Sequence, residues 1–595
     1  MRMRGSGGRP RGGFGIASTS WCGLPLTTRS AGSGRVNPRP RKMSRTLLLL
    51  LLSAFPMTET YAAQAPSAVR GAPVSQMADG ALSYTPDEAG NVVPEFSMAG
   101  YRNGGVALPV APVLERLAPV ADSADESVRI QAALNRVANA PADPATGVRG
   151  AVLLTRGSYR CGETITIPAG VTLRGEGAHA TGTVLIATML PEKGAEAKST
   201  LLQLTSKGSL PIVGPAHAVL DESVPIGAKH LSVKNAGAFE VGDEIIIVRA
   251  PSEAWIHDLQ MDRIKLSAGG KQWAPEIFVV RWQSRVDAIA GDRLTLDSPV
   301  LCALERRYGG AKVYACGPDT RGRAAAVENI RLESVYEKGH ETEDECHAWN
   351  AISIGYVVDS WVRDVTALHF AYACINIGRT AARITVQDCA MIDPVSLLTG
   401  GRRYSFVGGG QYCLFQRCYT RNGRHDFVTG AQNVGPTVFL DCLSEEAHSD
   451  IGPHHRWSCG QLYDNVKGGA IHVQDRGGAG TGHGWAGNAQ VLWNCEARRL
   501  ICQKPWPASA QNWAIGCSGE DGKPLQSSRL PGLWFSRDTP VSPRSLYLAQ
   551  LRARITASRG DGDVSIRSVT TPEQAQGTVW AHLRERYQDE PSYAK

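Results

Sequence analysis

The chain has 595 residues, with 63 Lys+Arg against 56 Asp+Glu and a formal net charge of +7. Ten of those basic residues and one acidic residue fall within residues 1–65, leaving 53 basic and 55 acidic side chains, a net −2, over the remaining 530. A near-neutral body of that length has material for a large core and lacks the basic footprint of a nucleic-acid binder, so that class of partner is set aside.

Residues 1–42 are rich in Gly, Arg, Ser and Pro without apolar periodicity and read as a non-translated or disordered leader. Met43 opens a more convincing start: Ser44-Arg45, an apolar run from Leu47 to Leu52, and a small-residue exit at Ala62-Ala63-Gln64-Ala65. Residues 43–65 are expected to be a secretory signal peptide, too short to span a bilayer, which implies a periplasmic or extracellular protein without an integral membrane segment. Residues 66–125 read as an extended lead-in. Residues 126–217 open with Ser127 to Val137, whose apolar residues at 128, 130, 134 and 137 fit a short amphipathic helix, followed by the first strands. Residues 218–318 break the pattern of the rest. Val241 to Val248 and Asp292 to Val300 read as antiparallel strands, an inserted β module with Trp255, Trp273 and Trp282 available to stack on sugars or to fill its own core. Residues 319–540 carry regular coils, and 541–595 a helix from about Pro543 and a polar tail.

The regular part is a repeat. An apolar residue, any residue, an Asp, Asn or Glu, and a small or apolar residue recur with anchors at Ser334, Val365, Cys389, Cys418, Cys442, Val466 and Cys495. The steps of 31, 24, 29, 24, 24 and 29 residues, with one strand motif each, point to an all-β parallel β-helix with rungs about 4.8 Å apart. Asp364, Asp388, Asp441 and Asp464 in the motif are assigned to turns. The anchor cysteines are expected to form a ladder of buried thiols. In an oxidising compartment Cys302 and Cys316, which flank a short loop, are the expected disulfide.

Residues 422–485 hold the chemistry. Asp426 is eight residues past Cys418, Asp450 eight past Cys442, and Gln474-Asp475 eight to nine past Val466, which predicts a stack on three successive rungs of one face. His425, His454, His455 and Arg456 accompany them. Arg403, Tyr404, Arg424, Trp457, Arg476, His483, Trp485 and Trp506 supply further substrate-binding side chains.

The order of helix, Gly150 to Tyr159, Ile165 to Gly177 and then coils resembles the opening of the pectate-lyase-like right-handed parallel β-helix superfamily, in which the helix caps the solenoid. That resemblance implies a secreted carbohydrate-active protein, in a superfamily that includes lyases, hydrolases, epimerases and phage tailspikes. The calcium-and-arginine motif of the pectate lyases finds no residue-by-residue match. The leading expectation is a polysaccharide lyase cleaving a uronate-containing glycan by β-elimination. Its arginines grip the carboxylate, His425, His454 or His455 is the base, and Tyr404 or another histidine is the acid. The runner-up is a glycoside hydrolase using Asp426 with Asp450 or Asp475, and the third reading is a non-catalytic glycan binder. No cofactor is required for these, although Asp426 and Asp450 offer hard oxygen ligands for calcium.

Overall fold

In successive coils the residue at one recurring bend takes the left-handed conformation. Asp364, Asp388, Arg417, Asp441, Asn465 and Asn494 have φ between 50° and 55°. Asn and Asp tolerate that region because their short polar side chains satisfy local backbone groups. Asp364 bends the single long strand Val357–Leu368, and the others separate two strands of a coil, as Asp388 separates Ala382–Gln387 from Ala390–Ile392 and Asp441 separates Val434–Leu440 from Leu443–Glu445. The computed structural model describes residues 71–190, 199–249, 252–505, 509–559 and 577–591. The expected leader, the signal peptide and Trp506 lie outside the described residues.

The coils stack in parallel register, Phe415 on Phe439, Phe439 on Tyr463 and Tyr463 on Leu492. The expected steps from Val365 to Cys495 are therefore those of the fold. The first anchor is not. Ile330, not Ser334, pairs with Val365, because Leu332 to Ser334 lie in the long strand Ala326–Ser334 beyond its own left-handed residue, Asn329. Two strand ladders merge into a 22-stranded sheet, and seven short strands form the third side. The fold is an all-β parallel β-helix.

Inside it, Cys389, Cys418, Cys442 and Cys495 are fully buried. Each donates its thiol weakly to a carbonyl one coil back: Val362, Val386, Phe415 and Tyr463, at 3.8, 3.9, 3.7 and 3.1 Å. At the N-terminal end the helix Ser127–Val137 buries Ile130, Ala133, Leu134 and Val137 in the same core, whereas Val128 is exposed.

The inserted module is a six-stranded antiparallel sheet running from Ile212–Ala218 to Lys312–Cys316. Trp255, Trp273 and Trp282 fill its core rather than face solvent, and Trp457 and Trp485 from the coils join them there. The ring of Trp255 meets Trp457 edge-on at 4.9 Å. The expected Cys302–Cys316 bond is not formed, since both thiols are free. Cys302 is buried between module and coils, accepting from Trp457 Nε1 at 3.4 Å, whereas Cys316 sits on the strand paired with Ile212.

Amphipathic segments cover the outer faces of the large sheet. Phe96 and Ala99 pack with Leu546, Tyr547 and Leu551 of the helix Leu546–Arg559. The expected polar tail holds a second helix, Thr578–Tyr587, whose Val579, Trp580, Leu583 and Tyr587 pack on Ile392, Tyr419 and Leu443. Trp580 Nε1 donates to Asn465 O at 2.9 Å. The third sheet keeps its outer face for the site.

Candidate active site

The third sheet runs in the order Gly452–Pro453, Phe427–Thr429, Phe406–Gly408, Ala373–Ile377, Asn350–Ile354, Thr200–Leu204 and Ile165–Ile167. Parallel register places the residues just before successive strands above one another, about 4.8 Å per rung. Trp349 therefore stacks on Tyr372 at 5.9 Å and Tyr372 on Tyr404 at 5.2 Å. Tyr404 then meets His425 at 4.9 Å and His454 at 5.2 Å. With Asn350, Ser353 and Asn376 on the floor, and residues 399–401 and 479–483 as walls, these rings enclose a groove of about 890 Å³.

Its chemistry is unusual in what it concentrates. Four imidazoles, those of His425, His454, His455 and His483, line it with the guanidinium groups of Arg424 and Arg476 and the phenol of Tyr404. Among the described lining residues there is no Asp or Glu. His425 Nδ1 lies 2.8 Å from the backbone carbonyl of Asp450, so it carries the proton and leaves the Nε2 lone pair without a protein partner. Burial, then the positive charges of Arg476 and Arg424, holds the His425 pKa at about 4 despite the opposing pull of Asp450. His483 is lowered to about 4 by burial and the neighbouring arginines. His454 and His455 are pushed down further still, by burial first and by their charged and imidazole neighbours second. Burial raises the Tyr404 phenol, whose oxygen lies 2.9 Å from His454 Nε2. All five groups are thus neutral at neutral pH.

Of the residues expected from the sequence, Tyr404, Arg424, His425, His454, His455, Arg476 and His483 meet in the groove. Asp426 does not. Val428 pairs with Gly452, so Asp426 and Asp450 do occupy adjacent rungs, yet the Asp426 carboxylate turns into the solenoid and accepts from Ser405 Oγ and Ser444 Oγ, each at 2.6 Å. Asp450 is buried beneath the groove, ion-paired to Arg476, with His425 Nδ1 3.4 Å and His472 Nδ1 3.8 Å from its oxygens. Its pKa is lowered to about 2: Arg476 and the two histidines outweigh the upward push of burial, the largest single effect.

The predicted third rung is out of step. Ile451 bridges Ile471, which sets Asp450 level with Ala470 rather than Gln474, and Asp475 is buried against Arg529 at 2.8 Å. The paired-carboxylate hydrolase centre is therefore not assembled. Calcium does not fit Asp426 and Asp450 either, because one is saturated by hydroxyls inside the core and the other by a guanidinium. No cluster of three metal-ligating side chains occurs among the described residues.

Four further expected residues lie outside the groove. Arg403 is fully buried, donating to the carbonyls of Ser396 and Glu341, each at 2.8 Å, so it props the groove wall rather than touching ligand. Arg456 reaches away to Thr481 O at 2.8 Å, and Trp457 and Trp485 belong to the module core. Trp349, Tyr372, Asn350 and Asn376 were not anticipated. Their signal is position just before or within strands of one sheet, but the spacings from Trp349 to Tyr372 and Tyr372 to Tyr404, 23 and 32 residues, hide it in the sequence.

No family model and no curated protein matches the chain. Among solved structures, the tailspike gp49 of Pseudomonas phage LKA1 is 15% identical, covering 70% of this chain and 72% of that one, with a TM-score of 0.29. The DFA-IIIase of Arthrobacter chlorophenolicus A6 in complex with GF2 is 9% identical over 69% and 72%, with a TM-score of 0.29. The A-module of the Azotobacter vinelandii mannuronan C-5 epimerase AlgE6 is 10% identical over 70% and 96%, with a TM-score of 0.30. No helix among the described residues is long and apolar enough to cross a membrane.

Proposed function

We propose that the chain is a polysaccharide lyase that cleaves a uronate-containing glycan by β-elimination. One observation carries this reading: the groove gathers four neutral imidazoles, a phenol and two guanidinium groups, with no carboxylate among its described lining residues. Hydrolysis at a glycosidic carbon calls for a pair of facing carboxyl groups. Abstraction of a proton next to a carboxylate calls instead for a neutral base, a cation on the substrate carboxylate and an acid for the leaving oxygen.

In this reading His425 Nε2 takes the C5 proton of the uronate. Its tautomer is fixed by the Asp450 carbonyl, so Asp450 acts as a positioning residue. The C5 electrons form the C4–C5 double bond, the C4–O4 bond breaks, and the departing oxygen takes the proton of Tyr404, whose hydroxyl His454 holds in place across their hydrogen bond; the site resets when the phenolate regains through solvent the proton that His425 took up. Arg424, half-buried at the groove wall, grips the uronate carboxylate, since the charge of Arg476 is already matched by Asp450. An anionic substrate also supplies the negative charge the site lacks. It raises the depressed histidine pKa values and makes His425 a stronger base only when substrate is present.

The test is incubation of the purified protein with a panel of uronic-acid polysaccharides, following the ultraviolet absorbance of unsaturated uronate. Absorbance that rises with wild type and not with His425→Gln supports the reading. New reducing ends without absorbance contradict it.

A further inference from the structure

The groove is not equally open at its two ends. His425 and His454 sit at the last rungs of the third sheet, whose terminal strand is Gly452–Pro453. Beyond that strand the loop 477–484 rises as a wall and carries His483. Its glycines let the inserted module press directly against it: a Cβ on Gly478 would lie 2.0 Å from Lys265 O, on Gly482 2.3 Å from Lys271 O and on Gly484 2.4 Å from Met261 Sδ. The contact is also bonded. Lys271 N donates to Thr481 O, Ser267 Oγ to Gly478 O at 3.1 Å, and Trp273 Nε1 to Gly482 O at 3.3 Å. From the coil side, Arg456 donates to Thr481 O and to Thr481 Oγ1 at 2.8 and 2.5 Å. The loop is therefore fixed as a wall on the far side of the histidines.

In the opposite direction the floor continues for three rungs, through Tyr404, Tyr372 and Trp349 to Thr200, with no comparable wall among the described groove-lining residues. At about 4.8 Å per rung this platform is about 14 Å long. A rung is close to the length of one sugar ring, so the platform accommodates about three residues, with flat aromatic faces at the middle positions.

We propose that the protein is exo-acting: a chain end butts against the 477–484 wall, cleavage occurs beside it, and the body of the polymer lies over Tyr372 and Trp349. This rests on the lyase reading of the same groove and adds the class of substrate terminus and the direction in which the polymer leaves. Arg456, which holds Thr481 in place, is then the residue that keeps the end closed.

The experiment is size-exclusion analysis of the products of a cleavable uronate polymer through time, with the full chain and three variants. The expected result is short products from the earliest samples while the polymer peak keeps its position. Tyr372→Ala and Trp349→Ala should raise KM for long chains by roughly tenfold, and by more than they raise that for a disaccharide. Arg456→Ala should shift the early products toward longer fragments. A polymer peak that slides through intermediate sizes with wild type overturns the exo assignment and leaves the lyase reading standing. Absence of both turnover and binding on every polymer overturns the lyase reading, and the exo assignment with it.

Discussion

The Tyr404 hydroxyl lies 2.9 Å from His454 Nε2, and the two side chains come from strands of one sheet two rungs apart, one before Phe406–Gly408 and the other just after Gly452–Pro453. Burial keeps the phenol protonated and the imidazole neutral, so one proton is available to be shared between them. Tyr404→Phe and His454→Ala should each lower kcat/KM by about 10² to 10⁴-fold with little change in circular dichroism. Because both act on one proton, the double variant should be little worse than the poorer single one, a coupling that a double-mutant cycle measures directly.

Asp450 serves the site without entering it. Asp450→Asn leaves Arg476 buried without its counter-ion, at an expected cost of about 3–5 kcal/mol in urea unfolding. It also removes the negative charge that pulls the His425 pKa upward, so the acid limb of kcat/KM should move to lower pH than in wild type. A purely structural role would lower stability without moving that limb.

Asp426 separates the lyase reading from the hydrolase one. Its carboxylate is bonded to Ser405 and Ser444 within the core, so Asp426→Asn should retain turnover within about threefold of wild type, far from the loss expected of an acid or base. Loss of activity in a variant with an unchanged melting temperature would reinstate Asp426 as a catalytic group.

Stability should fall on acidification in two stages. His425 and His483 titrate near 4 in the folded chain and near 6.5 when unfolded, so between those values the unfolded chain binds more protons and stability declines as pH drops from 6.5 to 4. Asp450, lowered from 3.8 to about 2, adds a second decline below pH 3.8. Chemical denaturation between pH 8 and pH 3 measures both. His425→Gln with His483→Gln should make the first stage shallower, the remainder coming from His454, His455 and His369, whose pKa values burial also lowers, and should leave the second unchanged.

Much of the solenoid was legible because its turns are chemically local. Asp364, Asp388 and Asp441 announce left-handed bends, and the anchors from Val365 to Cys495 follow them at the true coil lengths. Those bends determine where strands stack but say nothing of which way a neighbouring side chain turns. Asp426 was placed on the right rung and the wrong side of the sheet for that reason. The short coil from Ile451 to Ile471 defeated the extrapolation to Asp475, since a bridge of that kind has no motif. Trp457 and Trp485 were lost to a tertiary effect: the module core that covers them is assembled from residues about 200 positions earlier, such as Trp255 and Trp273. Tyr372 and Trp349 lie outside the histidine-rich stretch and join it only when four coils are stacked.

The most direct test of the account follows absorbance of unsaturated uronate and new reducing ends together, for wild type, Tyr404→Phe and His425→Gln on the same uronic-acid polymers. β-Elimination by His425 and Tyr404 requires both signals to rise in step for wild type and to fall at least about a hundredfold in each variant. Reducing ends that appear without absorbance, or full activity in His425→Gln, would contradict it.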